Sequence, residues 1–217
     1  MLQVQSFVFN AFQENTYVLY DETKECVVID PGCYEKFEQQ ELVNFIDQHE
    51  LKVTLLLNTH CHVDHVLGNY FVKEKYKTKL YIHAADEPVL KSVKVYAPTY
   101  GFQHYQEASP DVYMKEGEKI SFGKQQLQIL FVPGHAPGHV AFYSVENKIV
   151  IGGDVLFRNS IGRSDLPGGN FETLINSIHQ KLFTLPDDVV VYPGHGPQTT
   201  IGFEKKTNPF CAITLRS

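Results

Sequence analysis

Four short apolar runs in this sequence each lead directly into a residue that can hold a metal ion. Val53-Thr54-Leu55-Leu56-Leu57 precedes His60-Cys61-His62-Val63-Asp64-His65, and Gln126–Phe131 precedes Pro133-Gly134-His135. Ile149-Val150-Ile151 precedes Gly152-Gly153-Asp154, and Val189–Tyr192 precedes Pro193-Gly194-His195-Gly196. One strand end can expose a polar side chain without consequence. Four of them carrying His or Asp point to strands whose carboxyl ends share an edge, the place where open α/β sheets keep their ligand sites.

The rest of the pattern fits sheets covered by helices. Gln3–Phe9, Thr16–Tyr20 and Glu25–Ile29 alternate or run apolar and stop at turn residues, the third at Asp30-Pro31-Gly32, so they read as strands. Tyr34–His49 carries Phe37, Leu42, Phe45 and Ile46 at helical spacing. Gly68–Lys75 predicts a helix, Lys79–His83 a strand, and Ala84–Glu118 a less regular stretch. Further strands are expected at Ile120–Phe122, Gln126–Phe131, Val140–Val145, Lys148–Ile151 and Val189–Tyr192, with a helix over Phe171–Leu182. With helices in both halves and no linker or repeat, 217 residues suit one α/β (α+β) domain, residues 1–217, of sheets packed face to face under outer helices.

The three histidine-bearing stretches hold five of the ten histidines. In an extended segment His60, His62 and Asp64 fall on one side, and His65 follows as the chain turns into the next helix. The hexapeptide can then aim two imidazoles at one ion and a carboxylate plus an imidazole at its neighbour. Asp154 suits a bridge, having two oxygens, and Gly152-Gly153 lets the backbone approach closely. His60, His62, Asp64, His65, His135, Asp154 and His195 supply enough donors for two divalent ions. A catalytic zinc takes about three protein ligands and keeps the next position for water. Zinc is the expected metal, although iron and manganese accept the same donors.

Other residues are read beside these. Alternation turns Cys61 away from the donors into packing. His139 is expected to support the site rather than join it, because the seven others fill two ions. His49 and His179 are expected to face solvent. The aromatics between Tyr96 and Tyr113 suit either a substrate wall or core packing. Arg163 and Asp165, in a Gly-rich loop soon after Asp154, are the candidate substrate contacts: the guanidinium could reach an anionic substrate, or the two could form a surface pair.

Composition narrows the partners. A net charge of −6 with no long Lys/Arg run argues against nucleic acid and anionic membranes. No apolar run approaches the ~20 residues of a membrane span. The amino terminus lacks a basic then apolar export signal. The four cysteines show no paired spacing and read as reduced thiols in a cytoplasm. The expected partner is a small-molecule thioester or ester.

Thr59-His60-Cys61-His62-Val63-Asp64-His65, Pro133-Gly134-His135-Ala136-Pro137-Gly138-His139, Gly153-Asp154 and Gly194-His195 resemble, in order, the motifs of the metallo-β-lactamase-fold hydrolases. Phe157 to Asp165 and the tail from Pro193 to Phe210 are most similar to the glyoxalase II group, in its short form lacking the C-terminal helical domain. The resemblance implies a four-layer αββα sandwich with metals at one edge of the sheets. It also implies that His60, His62 and His135 hold a first metal and Asp64, His65 and His195 a second, bridged by Asp154. Arg163 stands where those enzymes carry a basic residue reaching glutathione. Two departures concern that substrate: the helical domain is missing, and Gly196-Pro197 replaces an aromatic residue after the last ligand.

The activity this implies is thioester hydrolysis, hydroxyacylglutathione hydrolase-like, by a metal-bridging hydroxide whose parent water has its pKa lowered towards ~7. Asp64 and Asp154 would be its catalytic carboxylates, Asp64 orienting the hydroxide. The main rival is a mononuclear-iron persulfide dioxygenase of the same fold, which Thr-His-Cys-His-x-Asp-His and Gly-Arg-Ser-Asp also resemble. A lactonase and a non-catalytic metal-binding module are the remaining alternatives, and a true β-lactamase is disfavoured.

Overall fold

The structure, a computed structural model, describes residues 1–213. The first sheet is built from β1 (Gln3–Phe9), β2 (Glu14–Tyr20), β3 (Glu25–Ile29), β4 (Lys52–Leu57), β5 (Lys79–His83) and β6 (Val112–Met114), lying in that order. The second uses β7 (Lys119–Phe122), β8 (Gln125–Phe131), β9 (Val140–Ser144), β10 (Ile149–Gly153), β13 (Val190–Pro193) and β14 (Thr199–Thr200), lying in the order β14-β13-β10-β9-β8-β7. Between β10 and β13 come a small hairpin, β11 (Leu156–Phe157) and β12 (Ser160–Ile161), and helix α5 (Phe171–Ser177), prolonged by a π turn over Ile178–Leu182. The remaining helices are α1 (Lys36–Gln48), α2 (Val63–Val66), α3 (Asn69–Tyr76), α4 (Glu87–Tyr96) and α6 (Ile201–Thr207).

Three apolar clusters separate four layers. Leu42 and Ile46 of α1, Val72 of α3 and Leu90 of α4 cover the outer face of the first sheet against Val28, Leu56 and Leu80. Leu19, Val27, Ile29 and Leu57 meet Leu127, Ile129, Phe142 and Ile151 between the sheets. Leu174, Ile178, Leu182 and Ile201 cover the other sheet over Val150 and Val191. This is the expected αββα sandwich. Strands β3, β4, β5 and β6 pair in parallel, as do β10 and β13, which sets the carboxyl ends of β3, β4, β10 and β13 along one edge. Among the described residues no helix is long and apolar enough to cross a membrane.

The sequence reading misses several elements. Ala84–Glu118 is not irregular throughout: it contains α4 and β6. Three β-branched valines (Val89, Val93 and Val95) weaken the helical signal, and only Leu90 and Val93 are fully buried within α4. The visible cue was Pro88 in the first turn, where its missing N–H costs nothing. In α1 the buried apolar stripe is Leu42, Val43 and Ile46, while Phe37 lies exposed. His179 does not face solvent freely: Nε2 lies 2.8 Å from the Cys211 carbonyl and the ring stacks on Phe183.

The sheets are fastened together by a buried carboxylate at the end remote from those carboxyl termini. Asp21, just after β2, accepts hydrogen bonds from the Thr23 N–H and hydroxyl, and from the Lys124 N–H and Gln125 side chain across the sandwich. Burial alone would raise its pKa, but these bonds from Thr23, Gln125 and Lys124 outweigh it and hold the carboxyl well below the usual range. A depressed native pKa gives stability that is fully present above the unfolded value near 4 and is lost as the pH falls through the native one. Asp21→Ala should therefore cost about 2–3 kcal/mol at pH 7, from charged hydrogen bonds lost and buried donors left unpaired. Urea titrations of both proteins at pH 7 and near pH 3 check this: the gap should narrow at the acidic pH, and an unchanged gap would mean that packing rather than charge is lost.

Candidate metal centre

The seven donors converge from both sheets. His60 and His62 follow β4 in extended backbone, whereas Asp64 and His65 lie in the single turn of α2. Asp64 is thus brought round by a helical turn rather than by strand alternation. His135 follows β8, Asp154 follows β10, and His195 follows β13. One ligand atom from each of His60, His62 and His135 lies within 4.8 Å of the others, and the same holds for Asp64, His65 and His195. Asp154 joins the two groups: Oδ1 is 3.5 Å from His65 Nε2, and Oδ2 is 3.5 Å from both His135 Nε2 and His195 Nε2.

Two glycines make this approach possible. A Cβ on Gly194 would stand 2.1 Å from Asp154 Oδ1. Gly153 has φ +50°, and its Cβ would lie 2.4 Å from the Thr59 hydroxyl oxygen. Gly152 is less tightly held: its Cβ would meet Val191 Cγ1 at 3.3 Å, a close contact that a small shift of the valine would have to relieve.

Hydrogen bonds on the far side of each ring decide which nitrogen points inward. The Thr59 hydroxyl gives its one proton to Asp30 at 2.6 Å, so at 3.1 Å from His60 Nδ1 it can only accept. His60 therefore carries its proton on Nδ1 and turns a lone pair on Nε2 inward. His135 Nδ1 donates to the Arg163 carbonyl at 2.7 Å, and His195 Nδ1 to the carbonyls of Phe12 and Gln13. His65 Nδ1 lies 3.2 Å from Asp30 Oδ2. His62 instead presents Nδ1, which lies 2.9 Å from His135 Nε2. Two lone pairs cannot face each other at that distance without a proton or a cation between them.

Charge and orphaned atoms support a cation here. Burial first, and then the neighbouring imidazoles, hold His60 well below the ordinary histidine range; burial and His135 bring His62 to about 3. Burial also lowers His135. For His65 burial is overridden by the carboxylates of Asp64 and Asp154, which raise it well above the usual range. Burial would likewise lower His195, but hydrogen bonds to Asp154 and Asp64 lift it to about 10. One group thus offers three neutral imidazoles, and the other holds carboxylate charge that protons or a metal cation must meet. His60 Nε2, His65 Nε2 and Asp154 Oδ1 are buried with no hydrogen-bond partner, a costly state that coordination would relieve. The donor set fits divalent metal.

The sequence reading overlooks the carboxylates behind the donors. Asp30, at the end of β3 in a left-handed conformation (φ 50°), accepts from the Thr59 N–H and hydroxyl while facing His65. Its oxygens also come close to His60 and His65 as a third donor group, but they are already engaged on the Nδ1 side, where carboxylates orient metal-binding imidazoles. Asp86 is fully buried and accepts from the Cys61 and Gly138 N–H groups, each at 2.6 Å, joining the loop of His60 and His62 to that of His135. Burial pushes its carboxyl up to about 6 despite these bonds. The cue for Asp30 was its place at a strand end on the shared edge; Asp86 had none.

Cys61 is buried in the outer core, away from the donor groups. His139 accepts the Asp154 N–H at 3.0 Å and stacks on His60, so it supports the site. Arg163 and Asp165 form the surface pair, with Nε and Nη2 each 2.8 Å from a carboxylate oxygen, and Arg163 also lines the cavity beside the donors. The Arg163 backbone has a role that the sequence did not suggest, orienting His135. That cavity measures about 950 Å³, and Tyr96 and Tyr100 lie on its wall, whereas Phe102 and Tyr105 pack in the core.

Residues 9–195 match the Metallo-beta-lactamase superfamily, and the chain belongs to that superfamily. It is 36% identical over 211 residues to the hydroxyacylglutathione hydrolase GloC of Haemophilus influenzae, covering 96% of this chain and 98% of that one. Among solved structures it is similar to the BLEG-1 B3 metallo-beta-lactamase, with TM-score 0.87 and 32% identity over 97% of this chain and 100% of that one. It is also similar to TTHA1623 in a di-iron-bound form, with TM-score 0.84 and 37% identity over 95% and 100% of the two chains. One fold thus hosts proteins named for different chemistries, and the fold alone does not select a substrate.

Proposed function

We propose that this protein is a binuclear metal-dependent hydrolase acting on thioesters, glyoxalase II-like in its chemistry, within one domain. The observation that carries the reading is the pair of three-residue donor groups joined by Asp154. His60, His62 and His135 would hold one divalent ion and Asp64, His65 and His195 the other, with Asp154 shared. Bound there, the ions would supply an acidified water and an electrophile for the carbonyl oxygen. The likeness to GloC supports a thioester substrate, and the likeness to a di-iron protein supports iron as well as zinc.

The chain's own residues have separate tasks. Asp64, whose Oδ2 is 3.1 Å from His195 Nε2, accepts a hydrogen bond from the attacking water and so directs the water's lone pair at the carbonyl carbon. Asp154 fixes the spacing of the donor groups, with His139 holding its backbone. The walls of the cavity position the substrate. A thiolate leaves without a proton donor because its conjugate acid has a pKa of only ~8.5. No nucleophilic Ser or Cys is needed, and the buried Cys61 takes no part.

Metal analysis of fully loaded protein should give two ions per chain, with thiol released from an acyl-thioester as followed by a chromogenic thiol reagent. One iron per chain, with oxygen uptake on a persulfide, would instead support the dioxygenase reading that the Thr59–His65 and Gly162–Asp165 motifs also suit.

A further inference from the structure

The cavity wall bears on which arm of a thioester is recognised. Away from the donors it is apolar, with Phe12, Pro88, Val89, Tyr100, Phe157 and Leu166 prominent. Phe12, from the turn between β1 and β2, and Tyr100, from the 3-10 turn after α4, meet edge to face with centroids 5.5 Å apart. Both rings remain open to solvent, Phe12 at 39% and Tyr100 at 54%. Clustered exposed apolar surface of this kind marks a place that something covers.

Charge on the same wall is scarce. Apart from the donor residues, the charged side chain lining the cavity among the described residues is Arg163, and its Nε and Nη2 are both engaged by Asp165 at 2.8 Å. A peptide thiol with free carboxylates would find no unengaged cation along this wall among the described residues.

We propose that the cavity selects thioesters whose thiol arm is uncharged and apolar, an alkyl or aryl thiol, over those of a charged peptide thiol. This rests on the thioester-hydrolase reading and names the carrier class within it. Apolar burial is worth roughly 0.8 kcal/mol per methylene, so each methylene placed against the wall should raise kcat/KM about threefold to fourfold.

The test holds the acyl group constant and varies the thiol of the metal-loaded protein's substrate: ethane-, butane- and hexanethiol, benzyl thiol and glutathione. The expected result is a rise along the alkyl series and a benzyl thioester about tenfold better than the glutathione one. Tyr100→Ala and Phe12→Ala should flatten the rise. Asp165→Ala should free Arg163 and improve the glutathione thioester relative to the benzyl one. A flat alkyl series, glutathione as the best carrier, or no response to Asp165→Ala would overturn the proposal. Should no thioester turn over, the hydrolase reading fails, and calorimetric titration with the matching uncharged thioethers decides the carrier question separately. Affinity that rises with chain length and drops in Tyr100→Ala supports the apolar site, and no binding overturns it.

Discussion

Asp154→Asn is expected to lower kcat on the best thioester about a thousandfold, the scale of losing a preorganised electrostatic partner of the reacting atoms. Its carboxylate touches both donor groups, 3.5 Å from His65, His135 and His195. An amide of the same shape lacks the charge and turns an N–H₂ toward nitrogens that need an acceptor or a cation. The fold should suffer far less, by about 1–2 kcal/mol, because the Asp154 side chain faces the donor groups rather than an apolar cluster and its N–H keeps the bond to His139. Thiol-release kinetics together with thermal melts separate the two effects. Near-normal turnover in the folded variant would mean that Asp154 does not join the groups in the working enzyme.

The second large effect is expected at a residue that touches neither substrate nor donor nitrogen. Asp86 accepts one N–H from Cys61 and one from Gly138, so each carboxylate oxygen holds one of the two loops that carry His60, His62 and His135. Asp86→Asn keeps one acceptor and sets an N–H₂ against a backbone N–H. The mutual position of the loops then slackens, and metal affinity should fall 10- to 100-fold, as when other groups supporting ligands are lost. Competition against a chromogenic chelator measures this independently of turnover. A variant that melts earlier yet binds its ions as tightly as the parent would show that Asp86 serves the fold alone.

The centre was legible to the extent that it was written in strand ends. His60, His62, His135, Asp154 and His195 announce themselves because imidazoles or a carboxylate follow apolar runs at turn residues. The layered fold was legible for a similar reason, since the period of the apolar residues identifies most strands and two long helices. Helix α4 escaped because its three valines carry strand propensity and only Leu90 and Val93 are fully buried within it. Asp86 escaped because its importance lies wholly in two backbone N–H groups far away in sequence, which no local pattern records. Arg163 was read through its guanidinium, whereas its carbonyl, which every residue type possesses, orients His135.

The division of donors between the sheets also sets an order of completion. Each three-residue group takes two members from the first sheet's side of the chain and one from the second: His135 closes the first group and His195 the other. As the polypeptide emerges from the ribosome, the all-histidine group gains its last member when the loop after β8 appears. The carboxylate-bearing group must wait for the loop after β13. A chain ending before β13 would contain every member of the all-histidine group, yet it would lack His195, the residue paired with Asp64. The all-histidine set is thus written into the chain before the set that carries Asp64 is complete.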